Sequence, residues 1–158
     1  MSHLVLSRKY RPKSFKEVIG QDNALTILNS FIQSGMIPHA LLFCGSRGVG
    51  KTSLARIFAK TINCEDLKNS KKCKDCITCS EIDENKSLDV IEIDAASNNG
   101  VDQIRSIIDS SNYTSIKCPY KVFIIDEVHM LSKSAFNALL KTLEEPNENT
   151  IFKVFTIY

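Results

Sequence analysis

The run Gly45-Ser46-Arg47-Gly48-Val49-Gly50-Lys51-Thr52 has the residue types and spacing of a phosphate-binding P-loop, with a glycine at either end of the spacer and Lys-Thr closing it. Glycines let the backbone wrap an anion with its N–H groups turned inward. A helix starting there would add the partial positive charge of its N-terminus. Lys51 would reach the terminal phosphates of ATP, and the Thr52 hydroxyl would ligate magnesium. A plain glycine-rich turn accounts for the glycines but for neither Lys51 nor Thr52. Roughly seventy residues further on, Val122-Phe123-Ile124-Ile125-Asp126-Glu127 is an apolar run ending in two carboxylates, the Walker B pattern. A buried strand there would deliver Asp126 to its carboxyl end, where open parallel sheets bind ligands, so that Asp126 holds magnesium directly or through water. Glu127 would polarise the water that attacks the terminal phosphate. Positioning and electrostatics dominate phosphoryl transfer, so Lys51 and Glu127 are the catalytic candidates. Alone, an apolar run ending in Asp-Glu is often just a strand meeting solvent; the two motifs together predict one another. His129 reads as a packing or capping residue rather than a catalytic one.

A second chemistry sits between the two motifs. Cys64, Cys73, Cys76 and Cys79 have the spacing C-x8-C-x2-C-x2-C, which suits tetrahedral zinc. The segment is poor in apolar residues and would not hold a shape by packing. Zinc binding at such a site supplies ~10–16 kcal/mol, enough to order it. An iron–sulfur cluster uses similar spacing, although no Pro follows the last Cys, and four unpaired surface thiols are the bland reading. Cys44, at the end of an apolar run, reads as a small core residue. Lys68, Lys71, Lys72 and Lys74 surround the cluster without interleaved aromatics, which favours a solvated face over a DNA contact.

Several elements must position these groups. Ala40-Leu41-Leu42-Phe43-Cys44 reads as a buried strand before the loop, and Leu54, Ala55, Ile57 and Phe58 form a helical stripe after it. Gln21 to Phe31 has helical periodicity, and Glu65 to Lys86 reads as a polar insertion on the surface rather than core. Leu88 to Ile93 alternates as a strand, and Val101, Ile104, Ile107 and Ile108 recur at helical spacing. Lys121 to Ile125 is a third strand. A helix capped by Ser132 follows, with Phe136, Leu139, Leu140 and Leu143 on its buried stripe and Pro146 stopping it. Ile151 to Ile157 is a fourth strand. Strands alternating with helices imply an α/β fold, a mostly parallel sheet covered on both faces. The chain has 158 residues and 43% hydrophobic content, which suits one domain with a real core. A net charge of +2 makes no bulk case for nucleic acid. No stretch approaches the ~20 apolar residues of a membrane span, and the first residues are too few for a secretory signal. The expected compartment is therefore the cytoplasm, where the six cysteines would be thiols or metal ligands.

Taken together these residues resemble the clamp-loader AAA+ ATPases, and among them the gamma/tau family of bacterial DNA polymerase III. The resemblance rests on Ser7-Arg8-Lys9-Tyr10-Arg11-Pro12 with Val18-Ile19-Gly20-Gln21, and on His39 through Phe43 leading into the loop. It rests equally on the cysteine spacing, Ile93-Asp94-Ala95-Ala96-Ser97, Asp126 through Leu131, and Phe136 through Pro146. It implies an ATPase subunit of a hetero-pentameric clamp loader. Such a ring opens a sliding clamp, grips primer-template DNA and releases the clamp on hydrolysis, as part of the polymerase holoenzyme. By position, Tyr10, Arg11 and Ile19 would border the adenine, the four cysteines would hold structural zinc, and Arg105 would lie near the DNA backbone. Thr156 aligns with the polar sensor of the terminal phosphate, on a strand between the loop strand and the Walker B strand, although Lys153 and Phe155 replace smaller or apolar residues there.

The resemblance also implies parts that this sequence does not contain: a Ser-Arg-Cys motif acting in trans, a fifth strand, a helical lid and a collar. The expectation is thus a single AAA+ domain over residues 1–158, incomplete at its C-terminus, with a zinc insertion at about 64–80. It would be a gene fragment, a shortened chain or one with a frame-altered tail, with its loop strand at a sheet edge. Two other functions compete with the clamp-loader ATPase: an ATP-binding assembly module that does not hydrolyse, and a zinc-dependent DNA-binding module.

Overall fold

The computed structural model describes residues 10–69, 71–74, 76–145 and 150–156, with backbone alone at 150 and 152–156. Strand β3 (Lys121–Asp126) is its axis. Val122, Phe123, Ile124 and Ile125 are all fully buried. Side chains alternate across a strand, so a continuous apolar run requires cover on both faces. Val122 and Ile124 join one core with Leu54, Phe58, Ile62 and Ile32. Phe123 and Ile125 join another with Ile104, Ala135 and Leu139.

The other elements follow from that requirement. Helix α1 (Asp22–Ser34) ends where Gly35 turns left-handed at φ 70°, three residues beyond the stretch expected from periodicity. Strand β1 (Ala40–Cys44) leads through the loop into α2 (Lys51–Ile62), whose Leu54, Ala55, Phe58, Ala59 and Ile62 fill the first core. Two short helices follow, α3 (Glu65–Lys68) and α4 (Ile77–Asp83). Strand β2 (Val90–Asp94) and helix α5 (Val101–Ser111) precede β3, and α6 (Lys133–Glu144) and β4 (Thr150–Thr156) follow it. Ser132 caps α6, its hydroxyl accepting the Ala135 N–H at 3.2 Å, as its position suggested. The sheet is parallel in the order β1-β4-β3-β2, so β4 lies between the loop strand and β3. Among the described residues β1 is an edge.

The fold corrects three expectations. Cys44 is exposed, not core. It shares a face of β1 with Ala40 and Leu42, all exposed, because the strand's period of two turns them away from the cores. The segment from Glu65 to Lys86 is not purely surface: Ile82 is 2% exposed and belongs to the first core. Cys79 and Ile82, three apart on one helical turn, share the buried side of α4. On α6 the buried positions are Ala135 and Leu139, while Phe136 and Leu140 stand partly in solvent. Ser7 to Lys9 and Pro146 lie outside the described residues, as do the side chains of Lys153, Phe155 and Thr156.

Candidate nucleotide site and four-cysteine centre

The phosphate loop links the carboxyl end of β1 to the first turn of α2. It relies on glycine where the backbone turns left-handed, at Gly48 (φ 84°) and Gly50 (φ 93°). A Cβ at either would meet nothing within 4 Å, so the constraint there is conformation rather than crowding. The first intrahelical bond runs from the Leu54 N–H to the Gly50 carbonyl, at 2.9 Å. The N–H groups of the first helical turn therefore lack intrahelical partners and point out of the helix start, as an anion requires. Lys51 is 8% exposed, and its ammonium donates to the loop carbonyls of Gly45 (2.8 Å) and Ser46 (2.6 Å). The lysine thus braces the loop from within. Ser46, Arg47, Gly48 and Val49 are exposed around it.

The two motifs meet at one bond. The Thr52 hydroxyl donates to Asp126 Oδ2 at 2.8 Å, across a sequence separation of 74 residues. Asp126 Oδ1 accepts the Glu127 N–H at 3.0 Å. Glu127 adopts φ 53° and ψ 44°, a left-handed backbone that turns the chain sharply off β3. Arg47, Asp126 and Glu127 line one cavity of about 620 Å³ together with Glu92 and Asp94. Asp94 ends β2 directly beside Asp126 in the sheet register. Its carboxylate accepts the Ala96 N–H and the Ser97 hydroxyl, so it shapes the next loop. Neither Asp94 nor Glu92 was expected at the cavity; only strand pairing places them there. A hydroxyl and a carboxylate sharing one hydrogen bond, beside an anion-receiving helix start, are a donor set suited to a magnesium–nucleotide.

The remaining expected residues are dispersed. The Gln21 side-chain amide donates to the Val49 carbonyl at 3.2 Å, which ties the lead-in segment to the loop. Ile19 is 98% exposed two residues before it, and Tyr10 is also exposed. Arg11 lines a separate groove with Lys13, Arg56, Lys60 and Cys73. The Thr156 backbone pairs with Cys44 at the end of β1, level with the loop. His129 is exposed, and Arg105 is an exposed side chain 3.7 Å from Asp102.

The four cysteines converge. The sulfurs of Cys64, Cys73, Cys76 and Cys79 all lie within 4.8 Å of one another, and Cys64 and Cys76 are 3.9 Å apart. Zinc–sulfur bonds of ~2.3 Å in a tetrahedron put sulfurs ~3.8 Å apart, so the set fits the metal. None is in a disulfide. The Cys76 sulfur also caps α4, accepting the Cys79 N–H at 3.3 Å. Burial pushes the Cys64 and Cys79 thiols up from their ordinary values, whereas the Cys76 N–H lowers that of Cys73. A metal at this centre must therefore displace protons from its two buried ligands. Lys68, Lys71, Lys72 and Lys74 are exposed around it.

Known proteins resemble this chain in sequence and in fold. The family described as "DNA polymerase III, delta subunit" matches residues 20–157. The DNA polymerase III subunit gamma of Buchnera aphidicola is 49% identical over 99% of this chain and 43% of its own length. The subunit tau of Bacillus subtilis is 51% identical over 99% of this chain and 28% of its own. The chain thus spans less than half the length of these relatives. Among solved structures, a gamma subunit-related protein of Thermotoga maritima superposes with a TM-score of 0.61 at 24% identity, over 84% of this chain and 38% of that one. A RuvB variant from the same organism gives 0.62 at 22% identity, over 94% and 42%. These two likenesses show that the chain shares its fold with both proteins. Among the described residues no helix is long and apolar enough to cross a membrane. With a family match from Gly20 to Ile157 and half of its residues shared with gamma and tau subunits, the chain belongs to this DNA polymerase III subunit family.

Proposed function

We propose that this domain binds ATP with magnesium and hydrolyses it as a motor subunit of a DNA polymerase III clamp loader, in the cytoplasm. The observation that carries this reading is the 2.8 Å bond between Thr52 and Asp126. It brings the phosphate-loop motif and the acidic strand end to one point, where a metal can serve both. Bound magnesium would neutralise charge on the phosphates. Gly45 through Gly50 and the α2 N-terminus would receive the phosphates, with Lys51 turning from the loop carbonyls towards them. Thr52 and Asp126 would hold the metal, and Glu127 would orient the attacking water. Tyr10, Arg11 and Ile19 are proposed at the adenine and Thr156 at the terminal phosphate. The four cysteines hold structural zinc in this reading, in keeping with the spacing of their sulfurs. The proposed partners are the other subunits of a hetero-pentameric loader, the sliding clamp and primer-template DNA, as expected of a domain so similar to gamma and tau subunits.

The test has two arms. Titrating a fluorescent ATP analogue in the presence of magnesium should give saturable binding that Lys51→Ala abolishes. Binding that ignores this substitution would sink the nucleotide reading. Phosphate release, measured with partner subunits, should fall about 10²–10⁴-fold in Glu127→Gln while analogue binding persists. Binding without any turnover, alone or with partners, would instead favour an assembly module.

A further inference from the structure

Helix α2 is tied to β3 at both ends. At its start Thr52 bonds Asp126. Just past its end the Asn63 side chain donates to the Tyr120 carbonyl at 3.1 Å and accepts the Tyr120 N–H at 2.9 Å. The twelve residues of α2 rise ~18 Å, and the six of β3 run ~20 Å in the opposite sense. The two elements therefore match in length, and the helix bridges the whole depth of the sheet. Cys64, the first cysteine of the cluster, is the residue after Asn63.

The cysteine segment grips the lower half of the same helix. Lys60 Nζ donates to both Asp83 oxygens, at 2.8 and 3.1 Å, and Asp83 ends α4, the helix that carries Cys79. The Lys60 side chain is only 7% exposed. Ile82 packs into the core that α2 fills, and Arg56 pairs with Glu92 on β2. If the cysteine segment loosens, Asp83 leaves and Lys60, on the groove that Glu17 and the cysteines also line, loses its ion-pair partner. The last turns of α2 then lose both that pair and the packing of Ile82, so they are held less firmly against the sheet. The segment offers little apolar burial of its own beyond Ile82, so its order depends on the metal.

We propose that α2 is a strut coupling the two centres: zinc at the four cysteines, acting through the Lys60–Asp83 pair, raises the affinity of the phosphate loop for a nucleoside triphosphate. This rests on the nucleotide and zinc readings above. Linkage makes the effect reciprocal, so nucleotide must raise zinc affinity by the same factor.

The experiment measures both directions. The fluorescent ATP analogue is titrated, with magnesium, into zinc-loaded protein and into protein stripped with a zinc-selective chelator. Affinity should fall about 5-fold or more on stripping. Zinc affinity is then measured by competition with a chromogenic chelator, with and without saturating analogue, which does not require the stripped protein to stay folded. It should rise by a matching factor. Lys60→Met keeps the apolar stem and removes the charge; it should retain both ligands and lose the dependence of one on the other. Zinc affinity indifferent to nucleotide, or undiminished coupling in Lys60→Met, overturns the proposal. If the analogue binds loaded protein regardless of Lys51→Ala, the nucleotide reading has failed instead.

Discussion

Glu127 holds a left-handed backbone, φ 53°, that only glycine adopts without penalty. For other L-residues the cost is about 1–2 kcal/mol. The sequence marked Glu127 as a carboxylate after a strand but gave no sign of this turn, because the left-handed step is set by the chain leaving β3 for Val128, which is itself buried. Such a residue persists where its side chain is worth more than the strain. The consequence is a separation of stability from turnover. Glu127→Gly and Glu127→Ala both remove the carboxylate, but only glycine relieves the backbone. Glycine's greater unfolded-state entropy takes back about 0.5–1 kcal/mol. Glu127→Gly should therefore be the more stable of the two by about 1 kcal/mol in urea unfolding, while both fail to release phosphate. Equal midpoints would show that the turn carries no strain.

At the scale of elements, β3 is held in place by polar groups that no periodicity announces. Asp89 is 2% exposed just before β2, and its carboxylate accepts three backbone N–H groups, from Ile116 (2.7 Å), Lys117 (2.7 Å) and Cys118 (2.9 Å). Its own carbonyl accepts the Val122 N–H at 2.7 Å. This one residue pins the turn that feeds β3. Burial alone would raise its pKa, but the three donors outweigh burial and hold the carboxyl below the ordinary 3.8. The neighbouring Cys118 thiol is pushed up to about 12, chiefly by burial, and stays protonated. A depressed folded-state value means that the stabilisation is fully present above the ordinary value and is lost as pH falls through the folded one. Urea unfolding at a series of pH values should show stability dropping below about pH 4. Asp89→Ala should cost roughly 2–3 kcal/mol at neutral pH and flatten part of that acid slope. A slope unchanged by the substitution would exclude Asp89 as its source. The same contrast explains what could be read from the sequence. The loop, the acidic strand end and the cysteine spacing are local patterns whose chemistry follows from composition. Asp89, the Asn63–Tyr120 pair and the exposure of Cys44 depend on which strands become neighbours, and a linear pattern does not encode that.

At the scale of the whole molecule, two cores lie on opposite faces of one sheet among the described residues, and there the cysteine centre touches only one of them. Ile82 of α4 packs with Leu54, Phe58 and Ile62 of α2, whereas Ile104 of α5 and Ala135 and Leu139 of α6 pack with Phe123 and Ile125 on the far side. Strand β3 separates the two, and the link of α4 past the first core, the 2.7 Å pair of Glu81 with Lys117, ends on the turn before β3 rather than on α5 or α6. Local openings follow such cooperative units rather than the whole fold. Removing zinc should therefore raise amide hydrogen exchange in α4 and in the C-terminal turns of α2, where Lys60 loses Asp83. Protection in β3, α5 and α6 should hold until global unfolding. Acid adds to the effect, because the raised thiol values of Cys64 and Cys79 mean that protons compete for these ligands more strongly as pH falls. Less chelator should then be needed at pH 6 than at pH 8 to produce the same exchange pattern. Uniform loss of protection on both faces would mean that the sheet does not divide the molecule and that the metal stabilises the fold as one unit.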